Sequence, residues 1–140
     1  MVQISVDYLG DLRCKATHGP SGVSFQTDAP VDNHGRGEFF SPTDLVAVAL
    51  GTCMATIMGI AAQRLQIDLK GMRIEVTKEM ASAPQRRIAR LTVVIDVPLP
   101  ESHPKKALLE QAGMNCPVHG SLHPDVEQKI TFRWQKSESA

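Results

Sequence analysis

The sequence predicts an α+β fold in which curved antiparallel sheets surround one long buried helix. Two observations carry this prediction: segments near both ends alternate apolar and polar residues, and an uncharged run over 45–62 is too long for a strand. Of the 140 residues, 42% are hydrophobic and 21% are charged, a balance typical of globular proteins. We therefore expect one domain over residues 1–140.

The N-terminal part predicts three strands. Residues 2–8 alternate between apolar and polar side chains, which is typical of a strand with one buried face. Further short strands are expected over 12–17 and 23–27, separated by turns at 10–11 and 18–22. Three short strands joined by tight turns predict an antiparallel meander.

A loop is predicted over residues 28–42, because this stretch is rich in Asp, Asn, Gly and Pro. It carries Arg36, Glu38, Phe39 and Phe40. Loops of this length are often functional. We therefore expect the two aromatic residues to lie near a site.

The long helix is predicted to begin at Ser41 and to end near Leu65. Ser41 can cap the helix while Asp44 reaches back to it, as in a capping box. Gly51 and Gly59 are expected to let another helix approach. Because a helix that is apolar all round needs cover on every side, and one small sheet cannot supply it, we expect an intertwined homodimer.

A membrane span is the other interpretation of this run, since a span needs about 20 apolar residues. The glycines and threonines of the run and its lack of Trp or Tyr favour a core helix. We expect no membrane partner.

The second half predicts two strands, a helix, a short helical turn and a final strand. Their expected ranges are 72–80, 87–97, 105–113, 117–122 and 126–134. Pro98 and Pro100 are expected to end the second of these strands. The helix is expected to bury one apolar face, formed by Ala107, Leu108, Leu109 and Ala112.

Two cysteines carry the functional signal. Cys53 lies in the middle of the long helix, and Cys116 opens the motif Cys-Pro-Val-His. If the two thiols meet, one can attack an oxidant and the other can resolve the product. The alternative is that both are inert core residues. Cys14, the third cysteine, is expected to be structural.

The balance of charges and the N-terminal residues bear on the expected partners and on the cellular location. Lys plus Arg and Asp plus Glu both number 15, and basic runs with interleaved aromatic residues are missing, so nucleic acid is not expected as a partner. The N-terminal residues do not form a secretory signal, and we expect a cytoplasmic protein with reduced thiols.

A zinc site is the alternative interpretation of the second cysteine motif, with Cys116, His119 and His123 as ligands. Pro117 and Gly120 interrupt the regular helix that would align them. We expect no metal and no cofactor. His119 is expected to be a local hydrogen-bond partner of Cys116 or to modulate its acidity.

Two segments resemble the motifs of one family. Residues 41–53 resemble the central-helix motif of the OsmC/Ohr family of thiol-dependent peroxidases, and residues 115–119 are similar to its second cysteine motif. The resemblance implies a homodimer with exchanged strands that reduces small organic hydroperoxides. It also implies that Cys53 attacks the peroxide, Cys116 resolves the sulfenic acid, and a dithiol reductant restores both thiols.

The family also holds its first thiol as a thiolate with an arginine and a glutamate. Here Thr43 stands at the place of that glutamate. Glu38 is the alternative carboxylate, and Arg36 is the candidate cation because a guanidinium stays charged when desolvated.

A hydrophobic substrate needs an apolar pocket, for which Phe39, Phe40 and Met54 are candidates. The competing function is a non-enzymatic or weakly active dimer that binds a small hydrophobic ligand.

Overall fold

The strands form two separate three-stranded sheets in the computed structural model, which describes residues 1–136. The chain divides into two units, one comprising residues 1–46 and the other beginning at Ala47. In chain order the elements are β1 Ile4–Gly10, β2 Arg13–His18, β3 Ser24–Asp28, α1 Pro42–Arg64, β4 Arg73–Ala81, β5 Arg87–Pro100, α2 Lys106–Met114, α3 Pro117–Ser121 and β6 Glu127–Gln135. The prediction of an α+β fold with two sheets and a long helix is confirmed.

The N-terminal sheet is an antiparallel meander in the order β1-β2-β3, as predicted. The predicted buried face of β1 is not found in the chain. Ile4, Val6 and Tyr8 are between 61% and 66% exposed. An alternating pattern predicts which side chains share one face of a strand, but it does not predict whether another surface covers that face.

The predicted cap of α1 is present in full. The backbone N–H of Ser41 donates to Asp44 Oδ2 over 2.9 Å, and the backbone N–H of Asp44 donates to Ser41 Oγ over 3.1 Å. These reciprocal bonds satisfy two donors at the start of the helix. They explain why the helix begins at Pro42.

The single chain does not cover α1 on every side, as expected for a helix that one small sheet cannot surround. The helix is long and apolar enough to cross a membrane, and 33% of its most apolar 18-residue window is buried. Leu50, Met54 and Met58 are fully buried, whereas Val48 and Ile60 are 38% and 43% exposed. The buried side chains recur every three or four residues, so they form a stripe along one side of the helix.

The C-terminal sheet has the order β4-β5-β6 and is mixed. β4 and β5 are antiparallel, but β5 and β6 are parallel, which contradicts the prediction of antiparallel sheets. The reason is the connection: α2 and α3 lie between β5 and β6 and carry the chain back across the sheet, as parallel pairing requires.

The core of this unit centres on β5. Leu91, Val93, Ile95 and Val97 are at most 2% exposed. β5 also continues to Pro100, beyond its predicted end at residue 97. The pairing with β6 shifts register between Val97 and Pro100, so the proline at 98 lies in an irregular segment where a missing N–H is tolerated.

Glycines mark the close contacts of α1, but not as predicted. A Cβ at Gly51 would lie 3.0 Å from Val76 on β4, so this glycine admits a strand rather than a helix, and a Cβ at Gly59 would meet nothing within 4 Å. The approach of two helices instead uses Gly113 of α2, where a Cβ would lie 3.0 Å from Met58 Sδ.

The buried face of α2 is narrower than predicted. Leu109 and Gly113 are its buried residues, whereas Ala107 and Leu108 are exposed. Gly113, which was not predicted to belong to this face, packs against Met58 of α1.

Candidate thiol site

Cys116 occupies the N-cap position of α3. Its Sγ accepts a hydrogen bond from the backbone N–H of His119 over 3.3 Å, and Pro117 stands at the first helical position. The first N–H groups of a helix lack partners within the helix, so a capping acceptor satisfies them. Only 3% of Cys116 is exposed. The motif is therefore a helix start that holds a thiol in a fixed, buried place.

Cys53 lies on α1, is half-buried, and faces Cys116 closely enough for the two thiols to interact. The contact between Met58 and Gly113 brings α1 against the end of α2, immediately before Cys116. Both cysteines are free thiols. The packing of the two helices thus unites two residues that are distant in the sequence.

The two thiols have unlike environments. Burial raises the pKa of Cys116 above its ordinary value of 9.0, and the neighbouring Cys53 thiol raises it further. The backbone N–H groups of His119 and Val118 oppose this effect by stabilising the thiolate. Cys116 is therefore protonated at neutral pH, and Cys53 is the more exposed residue of the two.

His119 contacts Cys116 through its main chain. Its ring Nδ1 instead hydrogen-bonds with Oε1 of Gln128 on β6. His123 lies on the surface beside Asp125. Among residues 1–136, no three His, Cys, Asp or Glu side chains are grouped as a metal site requires.

A separate cluster of charges lies in the N-terminal unit, around Arg13. Its Nη2 is 2.8 Å from Glu38 Oε2 and 3.7 Å from Asp28 Oδ2, and its guanidinium lies 5.1 Å from the centre of the Phe39 ring. Arg13 Nη2 and Glu38 Oε2 therefore form an ion pair, but their geometry is not that of a hydrogen bond. The Glu38 carboxylate raises the pKa of Arg13, which keeps the guanidinium charged.

Arg36, the cation predicted from the sequence, has a side chain that is 78% exposed, and its Nη1 lies 4.0 Å from Glu38 Oε1. Arg13 is 24% exposed and lies in register with Asp28, which is 1% exposed. Cross-strand pairs of opposite charge stabilise antiparallel strands. The strand register, which pairs Arg13 with Asp28, is the signal that identifies Arg13.

The other candidate residues are dispersed. Thr43 belongs to the start of α1, where its Oγ1 lies 3.1 Å from Ser41 Oγ. Phe39 and Phe40 are 43% and 55% exposed. Met54 is fully buried in the core, which argues against its contacting a substrate. Cys14 is half-buried on β2, opposite Tyr8 and Thr27.

The chain thus has an α+β fold with two three-stranded sheets and one long helix, on which Cys53 faces Cys116. The family model described as OsmC-like protein matches residues 35–131. The chain therefore belongs to the OsmC-like family, and the predicted resemblance is confirmed.

Solved structures agree with this assignment. An osmotic stress induced and detoxification response protein from Psychrobacter arcticus is 43% identical, with a TM-score of 0.88, over 95% of this chain and 96% of that one. The organic hydroperoxide resistance protein OsmC from Legionella pneumophila is 16% identical with a TM-score of 0.73, over 95% and 96% of the two chains.

A third structure is an organic hydroperoxide resistance protein from Vibrio cholerae with captopril bound in one active site. It is 15% identical with a TM-score of 0.73, over 93% of this chain and 90% of that one. A search of the curated proteins finds no match.

Proposed function

We propose that this protein is a thiol-dependent peroxidase that reduces small organic hydroperoxides through a Cys53–Cys116 dithiol–disulfide cycle. The observation that carries the proposal is the pairing of a half-buried cysteine with a buried one. An oxidant reaches the more exposed cysteine first, and the buried neighbour is in place to react with the product.

The cycle balances in three steps. The Cys53 thiolate attacks the distal oxygen of the hydroperoxide, the O–O bond breaks, and the alkoxide takes a proton from water and leaves as the alcohol. Cys53 is now a sulfenic acid. The Cys116 sulfur attacks the sulfenic sulfur, a disulfide forms, and the hydroxyl leaves with the Cys116 proton as water. A dithiol reductant then exchanges with the disulfide, restores both thiols and is itself oxidised.

The relatives support this reaction class. The Psychrobacter protein is described by osmotic stress and detoxification, and the Legionella protein by organic hydroperoxide resistance. A cytoplasmic location suits the cycle, because reducing compartments supply dithiols. The reaction as proposed needs neither metal nor cofactor, because the two sulfurs carry both electrons.

We also propose that the protein acts as a homodimer. One face of the N-terminal sheet exposes Ile4, Val6 and Tyr8, and α1 exposes Val48 and Ile60. Extended apolar surface of this kind marks an interface. A second copy presents the same apolar side chains, so a two-fold contact can cover them on both subunits at once.

Peroxide turnover tests the proposal. The reduced protein is incubated with cumene hydroperoxide and dihydrolipoamide, and loss of peroxide is followed. Cys53→Ser is expected to abolish turnover, since it removes the attacking sulfur, whereas Cys116→Ser is expected to accumulate oxidised Cys53. Cys14→Ser is the matched control and should retain wild-type turnover. Wild-type protein that consumes no peroxide refutes the proposal.

The identity of the cation that stabilises the Cys53 thiolate is tested with the same assay. Arg36→Ala tests the residue predicted from the sequence, whose side chain is 78% exposed. Retained turnover in the Arg36 variant contradicts the predicted role of Arg36.

One observation favours the alternative function of binding a hydrophobic ligand. The N-terminal sheet has an apolar pocket of about 380 Å³ lined by Ile4, Ala16, Val23 and Phe25, among others, a volume within the range of small-molecule sites. Stoichiometric binding of an apolar probe, together with absence of peroxide turnover, would favour this alternative.

A further inference from the structure

The side-chain amide of Gln128 makes two hydrogen bonds to His119, next to the buried Cys116. His119 lies on α3 and Gln128 on β6, and both are half-buried. Oε1 of Gln128 hydrogen-bonds with Nδ1 of His119, and Nε2 of Gln128 donates to the backbone oxygen of the same histidine over 3.2 Å. One side chain of β6 therefore holds both the ring and the main chain of His119.

This arrangement fixes the position of a proton. Because a carbonyl oxygen can only accept, the Gln128 group that faces the backbone oxygen of His119 must be its NH₂. The amide oxygen then faces the ring, and Nδ1 must carry a hydrogen to donate to it. In the neutral ring Nε2 is then left without a proton, so the network selects the Nδ1–H tautomer.

The same histidine supplies the backbone N–H that donates to Cys116 Sγ over 3.3 Å. α3 has only five residues, so it has few internal hydrogen bonds to keep this N–H in place. The amide of Gln128 ties that short helix to the C-terminal sheet at the residue that bonds the thiol.

We infer that Gln128 and His119 are positioning residues for the resolving thiol, with Gln128 fixing the Nδ1–H tautomer of His119 and keeping its backbone N–H directed at Cys116 Sγ. This inference rests on the proposed peroxidase function for its kinetic consequence. Negative charge develops on the Cys116 sulfur as it gives up its proton and attacks the sulfenic acid. A preset N–H donor stabilises that charge.

The tautomer of His119 is tested by nitrogen-15 NMR of its ring. The protein is kept reduced, with no peroxide present. The wild-type ring is expected to show the Nδ1–H pattern above the titration range of histidine. Gln128→Leu should lose that preference, whereas Gln135→Leu, the same change at an exposed site on β6, should keep it. A wild-type ring in the Nε2–H form overturns the inference.

The effect of Gln128 on the rate of disulfide closure is tested by rapid-quench experiments. After one equivalent of cumene hydroperoxide, dimedone traps the Cys53 sulfenic acid and mass spectrometry follows disulfide closure. Gln128→Leu is expected to leave oxidation of Cys53 unchanged and to slow closure about tenfold, the effect of losing roughly one hydrogen bond. Gln135→Leu should close at the wild-type rate. Closure at the wild-type rate in Gln128→Leu overturns the inference.

A conservative variant separates positioning from ring chemistry. The amide nitrogen of Asn can donate in place of Nδ1, so His119→Asn should stay within about twofold of wild type, whereas His119→Leu should close as slowly as Gln128→Leu. Equal slowing in both His119 variants overturns the positioning role. If wild-type protein forms neither sulfenic acid nor disulfide, the proposed function fails, while the NMR result still decides the tautomer.

Discussion

The two sheets share one sequence pattern but differ in how far their apolar side chains are shielded from water. β1 and β4 both alternate apolar and polar residues. The core of the C-terminal sheet is almost fully excluded from water, with Ile95 at 0% exposure, whereas Ile4 of the N-terminal sheet is 61% exposed. Alternation therefore defines one face of a strand, but that face contributes to stability only when a second surface covers it.

The largest expected effect comes from the same substitution in the two sheets. Ile95→Ala empties space in a packed core and should lower the free energy of unfolding by about 2–5 kcal/mol. Ile4→Ala removes a side chain that is exposed in the single chain and should cost less than about 1 kcal/mol at low protein concentration. Urea unfolding measures both. Equal losses in the free energy of unfolding would contradict the difference in burial between the two sheets.

Association is the next effect, and it tests what covers β1. Val6 is 63% exposed, so Val6→Lys should leave the isolated fold intact. In a dimer it would bury a charge against apolar surface, and we expect the dissociation constant to rise at least about tenfold. Sedimentation equilibrium measures this change. The control is Thr131→Lys, on an exposed position of β6; a dimer that tolerates Val6→Lys does not use this face.

Two glycines of α1 give a smaller and opposite pair of effects. Gly51→Ala would place a Cβ 3.0 Å from Val76 and 3.3 Å from Ile74, and we expect it to destabilise the protein by about 1–3 kcal/mol. Gly59→Ala meets open space and should stabilise the isolated chain by roughly 0.5–1 kcal/mol through helix propensity. Thermal unfolding at low concentration checks both signs, and a stabilised Gly51 variant would contradict this packing.

The smallest effect depends on pH. Hydrogen bonds from Arg133, at 2.6 and 2.9 Å, lower the pKa of Asp96 below its ordinary value of 3.8. The contribution of this pair is therefore complete above pH 3.8 and is lost as the pH falls through the lower folded value.

Asp96→Asn should accordingly lower the melting temperature slightly at neutral pH, and the difference should shrink in acid. The control is Asp7→Asn, at an exposed position of β1. A difference that grows in acid would contradict the pairing.

Local patterns made most of the elements predictable. The capping box of Ser41 and Asp44 located the start of α1, and alternation located every strand to within a few residues. The parallel pairing of β5 and β6 was not predictable in the same way, because alternation carries no information on strand direction. Which side of α1 is exposed was not predictable from its own residues either, because it depends on which other surfaces pack against the helix.

The site was predictable in part. The sequence identified Cys53 and Cys116, and the structure brings their thiols together through the Met58–Gly113 contact. Gln128 was missed because its partner, His119, lies on another element, α3. Such pairs depend on register and tertiary packing, which neither residue signals alone.

Peptide mapping of the disulfide tests most directly whether Cys53 and Cys116 form a redox pair. Reduced protein is treated with one equivalent of cumene hydroperoxide, free thiols are blocked, and peptides are mapped by mass spectrometry. We expect the protein to lose two hydrogen atoms and to contain a single Cys53–Cys116 cross-link and an unmodified Cys14. Three free thiols after treatment, or a cross-link that involves Cys14 instead, would contradict it.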